Sequence, residues 1–276
     1  MDKGNLEIGP STQGSLPKSE ALVEMLSSRA TSIGEVIDRL SAIIQWSLVN
    51  DSRLGYFPAL YRKVTVSVRD GIQQGAFDDG KRMEGLDVIF ANRYLEALRV
   101  FCTGRSPTQS WRLAFESASD YWPIVLQHLL LGINAHINLD LGIAAAETMR
   151  NANLEDVHND FNKINAVLAA LVDDVQNELA KVWTILRLMN RFLGNIEDAI
   201  INFSMKKARD EAWRSTQTFW SLPETQWPEA VARQDKQTLI VGTLVRHPGK
   251  FLSTVTGIVR VGEVSSPRRV IEILTG

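Results

Sequence analysis

A histidine and an aspartate four residues apart lie inside the most apolar stretch of this chain. The stretch is residues 122–150, WPIVLQHLLLGINAHINLDLGIAAAETMR, and the pair is His136 and Asp140. Four residues make about one helical turn, so both side chains share a helix face. A carboxylate beside an imidazole orients the ring and raises its basicity, as in general acid–base catalysis. The spacing predicts His136 as the acid or base and Asp140 as its orienting partner.

The same stretch carries further polar residues. Gln127, Asn134 and Asn138 cluster nearly opposite His136 on a helix, and His128 lies between the two faces, about 12 Å from His136 along the axis. A buried polar group without a partner costs roughly 1–3 kcal/mol, so these groups bind neighbouring helices or line a site. We predict that Asn134 and Asn138 donate hydrogen bonds to a substrate carbonyl or oxyanion. His128 is a second acid–base candidate.

The segment 83–101 repeats this mixture of apolar and polar residues. Glu84, Asp87 and Tyr94 fall on one side of the predicted helix, and Asn92 and Arg93 are close by. An aspartate in apolar surroundings is either paired with an arginine or functional, and the sequence leaves both alternatives open. We keep Asp87 as a catalytic candidate and predict Asn92 and Tyr94 as substrate contacts.

In the segment 154–179, His158 and Asn162 lie one turn apart beside an apolar stripe. We predict that both face the same cavity and contact the substrate. The alternative is a polar boundary between the core and solvent.

Three interpretations of these residues remain open. In the first, the polar groups only tie the central helix to its neighbours. In the second, they catalyse proton transfer without a cofactor. In the third, His136 and Asp140 bind a metal ion with Glu84, Asp87 or His158 as a third ligand. We favour the second because the metal motif HExxH is missing and amides are more abundant than carboxylates among these residues.

The elements that position these side chains are predicted to be helices. Apolar residues recur at spacings of three and four, and Ser32 with Glu35 forms a capping box. We expect helices over residues 32–50, 54–74, 83–101, 110–120, 123–150, 154–179, 181–192, 197–220, 228–246, 250–261 and 266–274. The β-branched residues near 255–259 leave strands open as an alternative at the end. Gly132 and Gly142 predict close approach of a neighbour or ligand to the central helix. The pattern predicts an all-α fold, a single multi-helix bundle around a buried, polar-studded central helix.

Composition limits the kind of protein. The chain has 276 residues, 45% of them hydrophobic, which is enough for one large core. Residues 1–20 are rich in Gly, Ser and Pro and predict a disordered lead-in, so residues 21–276 would form one mainly α-helical domain. A net charge of −2 gives no electrostatic basis for nucleic-acid binding.

Single features of the sequence argue against a disulfide-bonded, a secreted and a membrane-spanning protein. The lone Cys102 excludes a disulfide within the chain and fits a reducing, cytoplasmic location. The N-terminus lacks the apolar region of a signal peptide. The run 124–146 is long enough to span a bilayer, but its His, Asn and Asp residues are expensive in lipid. We therefore predict no transmembrane segment.

Several blocks of the chain resemble one family. They are FPALYRKVT at 57–65, MEGLDVIFANRYLEAL at 83–98, LQHLLLGINAHINLDLGIAAA at 126–146, DFNKINAVLAALVDDVQNEL at 160–179 and LVRHPG at 244–249. Together they are similar to the family catalogued as domain of unknown function 5995, over most of the chain from residue 57 onward. The resemblance implies no particular activity. It implies that the polar residues named above belong to one shared buried site.

These inferences predict an enzyme of small-molecule metabolism. The reaction would be an isomerisation, cyclisation or lyase step on an apolar substrate, such as a terpenoid or polyketide intermediate. The alternatives are a metal-dependent oxygenase or hydrolase using iron or zinc, and a non-catalytic binding or scaffold protein whose polar core fixes helix register. The sequence leaves the substrate and the oligomeric state open.

Overall fold

The structure, a computed structural model, consists of helices packed around one apolar helix. It describes residues 20–150, 152–164, 182 and 205–276, and these residues contain no β-strand. The helices are α1 (Glu20–Met25), α2 (Ile33–Val49), α3 (Tyr56–Gln73), α4 (Gly80–Cys102), α5 (Gln109–Ser117), α6 (Val125–Thr148), α7 (155–164), α8 (Met205–Ser221), α9 (Trp227–Arg246), α10 (Lys250–Gly262) and α11 (Pro267–Thr275). The predicted all-α fold is confirmed.

Some predictions lie outside the described residues. They are the lead-in up to residue 19, nearly all of the helix predicted over 181–192, the second part of the helix predicted over 154–179 and the first part of the helix predicted over 197–220. At the chain end, the strand alternative is wrong, because α10 and α11 are helical. In α11 the buried residues Val270, Ile271 and Leu274 recur at helical spacing, which a strand would place on both faces.

Local capping explains where the helices begin. The Ser32 hydroxyl accepts a hydrogen bond from Glu35 N at 3.2 Å, as the capping box predicts, while the Glu35 carboxylate accepts from Thr31 N at 2.8 Å. Asp79 caps α4 by accepting from Arg82 N at 2.9 Å. These bonds satisfy backbone N–H groups that have no partner within the helix.

Helix α6 is the centre of the packing. Its first half contacts α3, α5 and α9, and its second half contacts α4 and α8. By length and composition it is the helix in the described part that could cross a membrane, and 83% of its most apolar window is buried inside the protein. The core helix of a soluble protein passes the same test. A turn of π-helix, His136–Leu141, interrupts its regular hydrogen bonding.

Two glycines allow neighbouring helices to approach α6 closely. A Cβ atom at Gly132 would lie 2.6 Å from the ring of Phe57 on α3. A Cβ atom at Gly142 would lie 2.7 Å from the side chain of Ser215 on α8. The predicted close approach is therefore confirmed, and in both cases a protein side chain makes it.

Candidate functional site

His136 begins the π-helical turn, and aromatic rings enclose its imidazole. Phe90 of α4 stacks on the imidazole with ring centroids 3.5 Å apart and planes at 8°. Tyr61 of α3 meets it edge-on at 4.4 Å. Three further rings lie with their centroids between 5.5 and 6.3 Å from the imidazole: Phe57, Trp111 and Tyr94. The imidazole is only 4% exposed, so it is almost removed from water.

Neither ring nitrogen of His136 has a hydrogen-bond partner within the described structure. Its Nδ1 lies 3.8 Å from Oδ2 of Asp140, which is too long for a hydrogen bond. Burial lowers the pKa of His136, while the neighbouring Asp140 carboxylate acts in the opposite direction. Burial thus favours the neutral imidazole.

Asp140 is held by two donors from other helices. Its Oδ1 accepts from Arg93 Nε at 2.8 Å, and its Oδ2 accepts from Trp111 Nε1 at 2.7 Å. Burial would raise the pKa of Asp140, but the charge of Arg93, with His136 and Trp111, brings it below its ordinary value. Asp140 is therefore an ionised carboxylate fixed beside the imidazole. Sequence reasoning missed Trp111 and treated Arg93 only as a neighbour.

Asp87 lies on α4 one turn before Phe90, and it is 7% exposed. Its Oδ2 lacks a hydrogen-bond partner in the described part of the chain. Burial, reinforced by the charge of Glu84, raises the pKa of Asp87 to about 7. No ion pair of Asp87 occurs among the described residues, and the nearby Arg93 binds Asp140 instead. The carboxyl is therefore partly protonated at neutral pH.

The Tyr61 hydroxyl, like the His136 nitrogens and Asp87 Oδ2, has no hydrogen-bond partner in the region that the structure describes. Burial raises the pKa of Tyr61 well above its usual value, the charges of Asp87 and Asp140 add to this effect, and the nearby Thr65 side chain acts in the opposite direction. Tyr61 thus lies within electrostatic reach of both carboxyl groups and in ring contact with His136. We call His136, Tyr61 and Asp87 the unpaired cluster.

The polar side chains on the face of α6 opposite His136 form hydrogen bonds with α9 or with one another. Asn134 Nδ2 donates to the Thr238 carbonyl at 2.9 Å, and Asn138 Nδ2 donates to Asn134 Oδ1 at 2.8 Å. In return, Gln234 Nε2 donates to the Asn138 carbonyl in the π-helical turn at 2.7 Å. Gln127 donates to the Val245 carbonyl at 2.8 Å. The structure therefore does not bring Asn134 and Asn138 together with His136.

Asn92 and Glu84 face the start of α2. Asn92 exchanges two hydrogen bonds of 2.8 Å with the backbone of Ala30, and Glu84 Oε1 accepts from Ile33 N at 3.2 Å. The predicted metal ligands His136, Asp140 and Glu84 are not grouped, since the described residues contain no cluster of three or more His, Cys, Asp or Glu side chains suited to a metal ion. Tyr94, in contrast, lies at the imidazole as predicted for a site contact.

His158 and Asn162 line a separate cavity of about 300 Å³ between α7 and α8. There His158 stacks on Trp213 with ring centroids 4.3 Å apart. The residues that line this cavity include none of the unpaired cluster. His158 and Asn162 were predicted to face the cavity of His136, and within the described residues they instead line a cavity that does not include it.

His128 lies toward the start of α6, in edge contact with Tyr56 at a centroid distance of 5.7 Å. Its Nε2 is buried, and within the described chain it has no hydrogen-bond partner. Burial, together with the charges of Arg53 and Arg260, lowers the pKa of His128 to about 3. Such a histidine stays neutral at physiological pH, and the structure does not bring His128 into ring contact with His136.

Fold and site together define a class of all-α protein. Its core helix carries one polar face paired with a neighbouring helix and one face with unpaired titratable groups. The chain belongs to the family of unknown function DUF5995, which matches residues 33–248. This range includes the whole unpaired cluster. Comparison with curated proteins and with solved structures finds no match.

Proposed function

We propose that this protein is an enzyme of small-molecule metabolism that transfers protons within an apolar substrate, without a cofactor. The reaction is an isomerisation, or a cyclisation or lyase step of the same proton-transfer type. One observation carries the proposal: His136 and Tyr61 are in ring contact, Asp87 acts electrostatically on Tyr61, and all three have buried polar atoms without a hydrogen-bond partner in the described structure.

The contrast between the two faces of α6 argues against a purely structural role. Buried polar groups in cores are almost always paired, and an unpaired one costs about 1–3 kcal/mol. The α9 face of the same helix follows this rule, since Asn134 and Asn138 have partners. A scaffold protein would gain stability by replacing the unpaired groups with apolar ones. Their presence is better explained by a substrate that they contact.

The pKa shifts divide the acid and base roles. Neutral His136 is suited to remove a proton from a substrate carbon, and its carboxylate neighbour Asp140 stabilises the imidazolium that forms. Asp87, with a pKa of about 7, is suited to donate a proton at a second atom. The substrate thus loses one C–H bond and gains another while the double bond moves. The proton then returns from His136 to Asp87 by way of Tyr61 or solvent, which restores the enzyme.

The surroundings favour an apolar substrate. Five aromatic rings enclose the imidazole, and Asp140 is neutralised by its pairing with Arg93. Among the residues around His136 and Asp140, Phe57, Phe90 and Arg93 are partly exposed, and Phe90 and Arg93 lie one turn apart on α4. Rotation of the Phe90 side chain would uncover the imidazole face, which gives a planar apolar molecule a route to His136.

Exchange with solvent deuterium tests this proposal across a range of candidate substrates. Apolar ketones, terpenoids and polyketide-like compounds that raise the melting temperature are incubated with the protein in D2O. Mass spectrometry then follows the incorporation of deuterium into carbon positions. We expect a substrate to gain deuterium in the presence of the wild type, and to gain it at least about 100-fold more slowly with His136→Gln. The control His247→Gln, which changes an exposed histidine, should exchange deuterium at the wild-type rate.

Two outcomes would contradict the proposal. Exchange at the wild-type rate in a folded His136→Gln variant would remove His136 from the chemistry. Stabilising ligands that never exchange deuterium would favour the binding-protein alternative.

A further inference from the structure

The cavity between α7 and α8 is separate from the unpaired cluster and large enough for a ligand. Its volume of about 300 Å³ lies at the lower end of the range of small-molecule pockets, so it suits a ligand of one ring. The residues that line it recur at spacings of three and four, which places them on one face of each helix. They are His158, Phe161 and Asn162 on α7, and Asp210, Trp213, Arg214 and Gln217 on α8.

Aromatic rings form the inner wall of this cavity. His158 stacks on Trp213 with ring centroids 4.3 Å apart and planes at 23°, and Phe161 packs against Trp213 at a centroid distance of 5.1 Å. Phe161 is buried, whereas His158 and Trp213 are partly exposed. The wall therefore offers a ligand an apolar surface that neighbouring rings hold in place. Tryptophan is also the aromatic side chain that attracts cations most strongly.

The polar rim of the cavity carries an excess of negative charge. Arg214 Nη1 donates to Glu211 Oε2 at 2.7 Å, so its charge is offset within α8. Asp210 lies one turn before Arg214 and forms no ion pair with any residue in the described part of the chain. The side-chain amides of Asn162 and Gln217 likewise have no hydrogen-bond partner there. Their oxygens and the Asp210 carboxylate are therefore available as acceptors.

We propose that this cavity binds a small flat organic cation of the amidinium or guanidinium type. The body of the ligand lies against the aromatic wall, and its N–H groups donate to the Asp210 carboxylate. A carboxylate binds such a planar cation through two parallel hydrogen bonds. The oxygens of Asn162 and Gln217 accept from the remaining N–H groups. Asp210 would repel an anionic ligand. The proposal concerns a site apart from His136 and does not depend on the proposed function.

Benzamidine and benzamide make a matched pair of probes, because they share their shape and only benzamidine is a cation at pH 7. Calorimetry is expected to show that the wild type binds benzamidine more tightly than benzamide. Asp210→Asn should weaken benzamidine binding about three- to tenfold and leave benzamide binding unchanged. The exposed position of Asp210 makes this variant safe for folding. Asp38→Asn, which removes an exposed carboxylate on α2, is the control and should bind both probes as the wild type does.

Nitrogen-15 NMR of the tryptophan indole N–H groups locates the bound probe. The resonance that is missing in Trp213→Phe belongs to Trp213, and benzamidine is expected to shift this resonance in the wild type. Added salt should weaken the binding of benzamidine more than that of benzamide. Equal affinity for the two probes, an unshifted Trp213 resonance, or equal losses in Asp210→Asn and Asp38→Asn would overturn the proposal. So would the failure of both probes to bind up to their solubility limits.

Discussion

Replacement of Asp87 by asparagine should make the protein more stable at neutral and alkaline pH. Asp87 is buried, and its Oδ2 has no hydrogen-bond partner in the part of the chain that the structure describes. Ionisation of this carboxyl in the folded state therefore leaves an uncompensated charge in an aromatic core. Asparagine has nearly the same shape but never ionises. The substitution thus removes the electrostatic cost and leaves the packing intact.

The size and sign of the effect follow from proton linkage. The pKa of Asp87 is raised by burial from 3.8 to about 7 in the folded protein. The folded state thus holds its proton over a range in which the unfolded chain has lost it, and stability falls as pH rises from about 4 to about 7. A shift of roughly 3 pH units, at about 1.4 kcal/mol each, corresponds to about 4 kcal/mol.

Urea unfolding of both proteins between pH 4 and pH 9 measures this effect. The free energy of unfolding of Asp87→Asn minus that of the wild type should be near zero at pH 4. It should grow to about 4 kcal/mol in favour of the variant above pH 7. Because other titrating groups occur in both proteins, their contributions cancel in the difference.

Asp235→Asn is a matched control with the opposite sign. Asp235 is equally buried, but it accepts hydrogen bonds from Gln109 N, Ser110 N and Ser110 Oγ at 2.7 to 2.9 Å. An asparagine there turns an N–H group toward N–H donors and should cost about 1–3 kcal/mol. A stability difference between Asp87→Asn and wild type that does not change with pH would refute the reasoning about the unpaired cluster.

Three further predictions concern neighbouring features. Gly132→Ala should destabilise the protein by roughly 1–3 kcal/mol in urea unfolding, because its Cβ would lie 2.6 Å from Phe57. Gly85→Ala has open space around the new Cβ and should stabilise the protein by up to about 1 kcal/mol. Equal effects of the two substitutions would contradict the close packing at Gly132. Burial lowers the pKa of His128 to about 3, so its contribution to stability is present above pH 6.5 and is lost as pH falls toward 3. Between pH 7 and pH 3, the free energy of unfolding of the wild type should therefore fall by roughly 4–5 kcal/mol more than that of His128→Leu. Elemental analysis of untagged protein purified without chelator should find no stoichiometric metal, and about one equivalent of iron or zinc that is lost in His136→Ala would favour the metal-dependent alternative.

The helices could be predicted because their signals are local. Apolar spacing and caps such as Ser32 depend on residues a few positions apart, so the sequence alone located most helix boundaries to within a few residues. The π-helical turn His136–Leu141 was not predicted. Its formation depends on packing against neighbouring helices, and no residue type marks it in the sequence.

The site could be predicted only in part, because partners are chosen by long-range packing. The closeness of His136 to Asp140, 3.8 Å between Nδ1 and Oδ2, follows from a spacing of one turn. The donors that hold Asp140, Trp111 and Arg93, come from positions 29 and 47 residues away, which periodicity does not connect. For the same reason the sequence could not show that Asn134 is paired with α9 while the opposite face is left unpaired.

The two faces of α6 are best understood as one arrangement. Unpaired buried groups persist only where the surrounding structure fixes them strongly. The hydrogen bonds between side-chain amides of α6 and α9 and the opposite backbone, with the close contacts at Gly132 and Gly142, hold α6 against three neighbouring helices. The π-helical turn lies at the middle of this anchored region and carries both His136 and Asp140. The paired face thus supplies the rigidity that keeps His136 in place while its ring nitrogens stay without partners in the described structure, as the proposed proton transfer requires.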